Sequence, residues 1–335
     1  MPRPPARPGR APRLATILAG AAALAGTFAA LPAAPRSGPA PETAEAAAGP
    51  APLGTREETA PQRVVSMNLC TDQLAMLLAA PGQLHSVSYM AADPRASVLH
   101  ARAGAYEANH GRAEEIFLMR PDLVIAGTYT TRETVAMLRR LGFRVEEFAP
   151  EATFADIRAN LRRMGALLDR APQAEALVAE LDARLEAARA APAEARPLAA
   201  LRYAGSWSSG AGTLAHEIVS AAGLRNLAAE LDLAGMARLP LERLVMGAPE
   251  LLITGRPFSP PSLAEQTVRH PAIDPLLSRA AGAAISDSRW VCGAPFTAGA
   301  VEALARARRA LTGVDRASLP SDPAASVAGL REFAR

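Results

Sequence analysis

The chain has 335 residues, half of them hydrophobic and 21% charged, enough for a sizeable core and more than one core usually organises, so two domains are expected. The formal charge of +3 and a pI near 9.3 point towards nucleic acid, yet four of the cations (Arg3, Arg7, Arg10 and Arg13) stand ahead of an uncharged Ala/Leu run. Setting those four aside takes 36 basic against 33 acidic side chains to 32 against 33, and the case for a nucleic-acid partner is gone.

Residues 1–34 read as a secretory signal peptide, with a basic start, an apolar stretch over Leu14–Ala34 and small residues near Ala29–Ala34 for cleavage. A retained membrane anchor is the alternative, weakened by the alanine content of the run. Every basic residue is Arg and none is Lys, so no single Arg is read as selected for its guanidinium. Residues 35–60, rich in Pro, Ala and Glu without apolar periodicity, are expected to be a disordered leader. The fold is expected to start near Pro61. Export to an oxidising compartment permits disulfides, and the chain has two cysteines, Cys70 and Cys292. No Cys lies just after the apolar run, so a soluble rather than lipid-anchored protein is expected.

From there strands alternate with helices. RVVSMNL (63–69) predicts a strand, TDQLAMLLAA a helix, LHSVSY (84–89) a strand, and AEEIFLMR a short helix. DLVIAG (122–127) predicts a strand, TRETVAMLRRLG a helix ended by Gly142, and RVEEFA a further strand. This alternation implies a right-handed parallel sheet, without the glycine fingerprint of a dinucleotide site. Residues 153–191 are helical throughout, with Pro172 opening a second helix of about 18 residues, roughly 27 Å long. Leu177, Leu181 and Leu185 give that helix an apolar stripe. Alternation then resumes with LAALRYAG, HEIVSAAG, LERLVMG, ELLITG and a last strand through AAISD to WVCG. The domain reading is a first Rossmann-like lobe over 61–151, a connecting helical segment over 152–192 and a second lobe over 193–335, an α/β protein with a ligand cleft between the lobes.

One unit occurs twice, AEEIFLMRPDLVIAG at 113–127 and LERLVMGAPELLITG at 241–255, each a Glu followed seven residues later by Pro and an acid, then a buried strand. Locally, a Glu in the first turn of a short helix answers the helix dipole, worth about 0.3–1 kcal/mol. Two at equivalent places, one per lobe, instead present a matched pair of charges.

These units, with RVVSMNLCTDQL, the helical spacer and GTLAHEIVSAAGLRNLA in that order, resemble the solute receptors of ABC importers for cobalamin, iron–siderophore and haem. The resemblance covers about residue 61 to the end. It implies two Rossmann-like lobes joined by a long rigid backbone helix, a periplasmic monomer with no cofactor of its own, and a metal chelate held in the cleft for delivery to a permease dimer in the inner membrane. It also implies that Glu114 and Glu242 dock against arginines of that permease. Corrinoid is ranked ahead of ferric siderophore, and haem third.

Open parallel sheets bind ligands beyond the carboxyl ends of their strands. The candidate ligand contacts there are Asn68, Cys70, Tyr89, His110 and Tyr129 in the first lobe. In the second they are Trp207, Arg256, Trp290 and Cys292. Both tryptophans of the chain fall in such loops, which suits a broad, mostly apolar ligand. Cys70 and Cys292 both lie near strand ends and are read three ways: small packed residues, two soft contributions to a metal, or a redox-dependent clasp across the cleft. A cysteine hydrolase pairing Cys70 with His110 is the competing enzymatic reading. It lacks support elsewhere, because His85, His100, His216 and His270 sit in no motif and neither G-x-S-x-G nor a phosphate loop is present.

Overall fold

The computed structural model describes residues 60–189, 196–255, 262, 264, 282–286 and 288–313. The expected signal peptide, nearly all of the leader and Arg256 lie outside them.

In β1 (Val64–Ser66) and β4 (Leu123–Gly127) every residue is buried, and the two alternating sets point into different clusters. Val64, Leu123 and Ile125 join the large central core, while Val65, Val124 and Ala126 join a smaller outer one with Ile116 and Leu138. Strands covered on both faces are the mark of parallel α/β sheets. The first sheet is parallel throughout, in the order β3-β2-β1-β4-β5, with β2 at Leu84–Ser88, β3 at Glu107–Asn109 and β5 at Val145–Phe148. Its helices are α1 (Leu69–Leu78), α2 (His100–Ala103), α3 (Ala113–Met119) and α4 (Arg132–Arg140). The segment EAN (107–109), which carries no strand pattern in the sequence, supplies edge strand β3. Its Asn109 is fully buried, donating to the Ser66 carbonyl at 2.8 Å and the Ser86 hydroxyl at 2.9 Å, so a polar sequence is pinned by bonds rather than by apolar area.

The connection is two helices, α5 (Phe154–Leu167) and α6 (Ala171–Ala188), separated at Asp169, which takes φ 56°. Thr153 and Asp156 form a reciprocal capping box at the start of α5. Pro172 falls at the second rather than the first position of α6, still among the N–H groups that need no helical partner. The covered face of α6 is Ala174, Val178, Leu181 and Ala188, with Leu177 and Leu185 half-buried beside it; small residues permit closer approach than the leucine stripe implies.

The second lobe comprises β6 (Leu198–Arg202), β7 (Trp207–Ser209), α7 (Leu214–Ala221), β8 (Arg225–Asn226), α8 (Leu227–Glu230), β9 (Met236–Arg238), α9 (Leu241–Gly247), β10 (Leu251–Gly255), β11 (Gly282–Ser286) and α10 (Ala298–Gly313). Its parallel sheet runs β11-β10-β6-β8, and β7 pairs with β9 as a separate antiparallel ribbon. Leu201, Leu251 and Ile253 enter the same central core as the first sheet, and Leu198, Ala200 and Leu252 form an outer cluster with Leu244. One core therefore runs from lobe to lobe through α5, α6 and α10. Arg184 of α6 adds a two-pronged contact to Glu302 of α10, at 2.8 and 3.2 Å.

Candidate functional site

A cavity of about 510 Å³ opens between the lobes at the carboxyl ends of the strands. Pro94 and Arg95 form its first-lobe wall; Tyr203, Ser209, Met236, Trp290 and Val291 are among its second-lobe lining.

The second-lobe wall is built where β6 ends. Tyr203 follows the strand directly, and the chain turns back through Gly205 (φ 67°) and Ser206 (φ 63°) into β7, closed by the Tyr203 N–H to the Trp207 carbonyl at 2.8 Å. The Tyr203 hydroxyl lies 3.4 Å from Ser209 Oγ, which is 3.2 Å from Met236 Sδ on β9. Burial is the main cause raising the Tyr203 pKa, so it faces the cavity as a neutral phenol. Gly210 leads out of β7 beside the Leu233 carbonyl oxygen, which an added Cβ would meet at 1.9 Å; only glycine allows the ribbon to close there. Thr213 then caps α7, accepting from the His216 N–H at 3.2 Å.

The first-lobe wall hangs on α1. Asn68 caps that helix through the Cys70 N–H at 3.0 Å and packs on Gly127, so its side chain serves the fold rather than the cavity. Asp72, wholly buried in the same turn, accepts from the backbone N–H and hydroxyl of Ser88, the residue that starts the short turn leading to Pro94. Burial pushes its pKa up to about 7 against the opposing pull of those hydrogen bonds.

Cys70 and Cys292 are joined as a disulfide across the lobes, with Cα atoms 5.1 Å apart. Of the three readings of this pair, the bond argues against metal ligation, and it removes nucleophilic chemistry as well, because the thiolate is the ligand and the nucleophile and neither sulfur of a disulfide can form one. Cys292 is buried and is not part of the cavity lining, which its chain neighbours Trp290 and Val291 supply.

The remaining candidates disperse. Trp290 lines the cavity. Tyr89 and His110 stack on each other, centroids 5.3 Å apart, and His110 Nδ1 lies 3.2 Å from the Glu115 carboxylate. Tyr129 is almost wholly exposed, and Trp207 sits under the Arg238 guanidinium at 5.4 Å, outside the cavity lining. Tyr203, Ser209, Met236, Pro94 and Arg95 were not singled out from the sequence. Tyr203 carried a usable signal, an aromatic immediately after a buried strand; Met236 and Arg95 carried none. Among the described residues no group of three or more His, Cys, Asp or Glu is placed to hold a bare metal ion.

The repeated units are alike in detail. Ile116 and Leu244 are each fully buried under their helices, and both helices end on a left-handed residue, Arg120 (φ 50°) and Ala248 (φ 43°). The acid after each Pro ties down the first strand of its lobe: Asp122 accepts from the Gln62 and Arg63 N–H groups, and Glu250 from the Leu198 N–H at 2.7 Å. Glu115 is taken up by the backbone and ring of His110, which lower its pKa. Glu114 and Glu242 are exposed, and their carboxylates make no hydrogen bond or ion pair among the described residues.

A family model described as periplasmic binding protein matches residues 64–273. No curated protein matches the chain. Solved structures do, at identities that speak for the fold alone. The periplasmic heme-binding protein RhuT from Roseiflexus sp. RS-1 is 22% identical over 75% of this chain and 98% of the other, with TM-score 0.59. The periplasmic vitamin B12 binding protein BtuF of Vibrio cholerae is 19% identical over 75% and 98%, with TM-score 0.57. An ABC-type Fe3+-hydroxamate transport system protein from Saccharomonospora viridis is 21% identical over 77% and 95%, with TM-score 0.57.

Proposed function

The chain belongs to the periplasmic binding protein family, and from that premise we propose that it is the periplasmic receptor of an ABC importer, a monomer that captures a metal chelate between its lobes and delivers it to a permease dimer in the inner membrane. The observation that carries this reading is a ligand-sized cavity at the strand ends of both lobes together with two exposed glutamates at equivalent places, Glu114 and Glu242, whose carboxylates make no bond among the described residues. The cavity mixes hydroxyls (Ser209, Thr213, Tyr203) with apolar and aromatic surface (Met236, Val291, Trp290), a lining suited to an organic chelate rather than a naked ion. The similar proteins named above carry haem, vitamin B12 and ferric hydroxamate in their descriptions, which supports an organic metal chelate as the class of ligand. The protein acts by binding and handover, with no bond made or broken.

Titration of the purified protein with haem, cyanocobalamin and a ferric hydroxamate, followed by absorption and tryptophan fluorescence, tests this. One of the three is expected to saturate at one per chain, with most of the fluorescence change lost in Trp290→Phe. Catalytic turnover of an ester or amide by the same preparation, with no chelate bound, would displace the receptor reading.

A further inference from the structure

We propose that the Cys70–Cys292 disulfide is a specificity-determining strap, fixing the width of the interlobe cavity so that a compact chelate is accepted and a bulky one, such as a complete corrinoid with its nucleotide loop, is refused. This rests on the reading of that cavity as the ligand site.

The disulfide closes 222 residues of sequence and joins the N-terminal turn of α1 to the loop that follows Trp290 and Val291, two residues of the cavity wall. The next residue is fastened as well. The Gly293 N–H donates to the buried Glu151 carboxylate of the first lobe at 3.3 Å, while Asn160 donates to the other Glu151 oxygen at 2.7 Å. Gly293 also lies so close to Glu151 and Ile157 that a Cβ there would meet both at 2.7 Å. The second-lobe wall is thus held against the first lobe by a covalent bond, a buried hydrogen bond and close packing at successive residues.

The opposite wall hangs from the same turn of α1. Asp72, two residues beyond Cys70, holds Ser88 by its N–H and its hydroxyl, and the chain runs from Ser88 through one short turn to Pro94 and Arg95. Residues 70–72 therefore anchor both sides of the cavity, one through sulfur and one through a carboxylate. A ligand larger than the gap must displace a tethered wall, and affinity falls by what that displacement costs. The volume of about 510 Å³ is within the range of roughly 300–1,000 Å³ usual for organic ligands and leaves little room for a corrinoid to sink between the lobes. Cutting the strap frees the Trp290–Val291 wall on one side only, so the effect falls on large ligands more than on small ones.

The test compares affinities for haem, a ferric hydroxamate and cyanocobalamin in three forms of the full chain: oxidised, reduced with dithiothreitol with both thiols assayed as free, and Cys70→Ser/Cys292→Ser. The oxidised protein is expected to bind its best compact chelate at least about tenfold tighter than cobalamin, and either way of removing the bond to narrow that ratio by about fivefold or more. Reoxidation of the reduced, still folded protein restores the ratio, which separates the strap from a folding defect in the double variant. If the disulfide is purely stabilising, its removal lowers the melting temperature and leaves the ratio unchanged, and that result overturns the proposal, as does an oxidised protein that prefers cobalamin. If no chelate binds any form, the receptor reading itself falls and the strap with it, an outcome distinct from binding with an unchanged ratio.

Discussion

In the first lobe α3 carries Glu114 with Phe117 and Leu118 on the same face, and in the second α9 carries Glu242 with Val245 and Met246. Leu118 and Met246 are 77% and 84% exposed, so each glutamate stands beside uncovered apolar surface in the same arrangement twice. The sides that face each other are different. The N-terminal turns of α1 and α7 begin alike, Asn68-Leu69-Cys70-Thr71-Asp72 against Thr213-Leu214-Ala215-His216-Glu217, each with a capping side chain first and an acid fifth. Yet Cys70 is tied to the other lobe, whereas its counterpart Ala215 lines the cavity, and only the second lobe adds the β7–β9 ribbon that supplies Ser209 and Met236. Likeness on the outside suits a partner with two equal surfaces. Unlikeness inside suits a ligand with two different sides.

That comparison can be broken at several depths. The largest stability effect is expected at the buried pair beneath α3 and α9: Ile116→Ala and Leu244→Ala should each cost about 2–5 kcal/mol in chemical denaturation, because each leaves a cavity under a helix too short to collapse onto it. A large loss in one and none in the other would show that the two units are alike in sequence only.

Next comes a difference between the lobes. Asp72, with its pKa raised to about 7, keeps its proton in the fold at pH values where the unfolded chain, near 3.8, has lost it. The folded state then binds more protons than the unfolded one, so this group makes stability fall as pH rises from about 4 to 7 and adds no slope outside that window. Asp72→Asn should remove the slope, gaining on the order of a few kcal/mol over wild type between pH 4 and pH 8. Parallel melting curves for the two proteins across that range would contradict it.

The smallest effect restores likeness. Arg120→Gly and Ala248→Gly should each stabilise by up to about 1 kcal/mol, because a left-handed backbone strains any residue with a Cβ. Equal gains in thermal melting would show that the two helix ends are built the same way.

Much of the fold was legible because its signals are local. The runs around Val64, Leu84, Leu123, Leu198 and Leu251 are strands and the segments between them helices, since two-sided burial leaves few polar positions in a strand. The β7–β9 ribbon was not legible: its strands are three residues each and held by backbone bonds and Gly210, with little apolar pattern to betray them. The site was legible only in part, for a related reason. Trp290 stood out as a rare aromatic in a loop, but Met236 and Arg95 reach the cavity through long-range packing. The bonding of Cys70 to Cys292 depends on how two distant turns meet, which spacing along the chain does not encode.

A two-point docking role for Glu114 and Glu242, which the reading of the chain as an importer receptor implies, is tested most directly by measuring ligand affinity and cellular uptake together for Glu114→Ala, Glu242→Ala and the double variant. The expected result is unchanged affinity in all three, reduced uptake in each single variant and none in the double, since charge pairs of this type govern orientation and on-rate at a partner surface. Normal uptake by the double variant, or loss of ligand binding along with uptake, would contradict it.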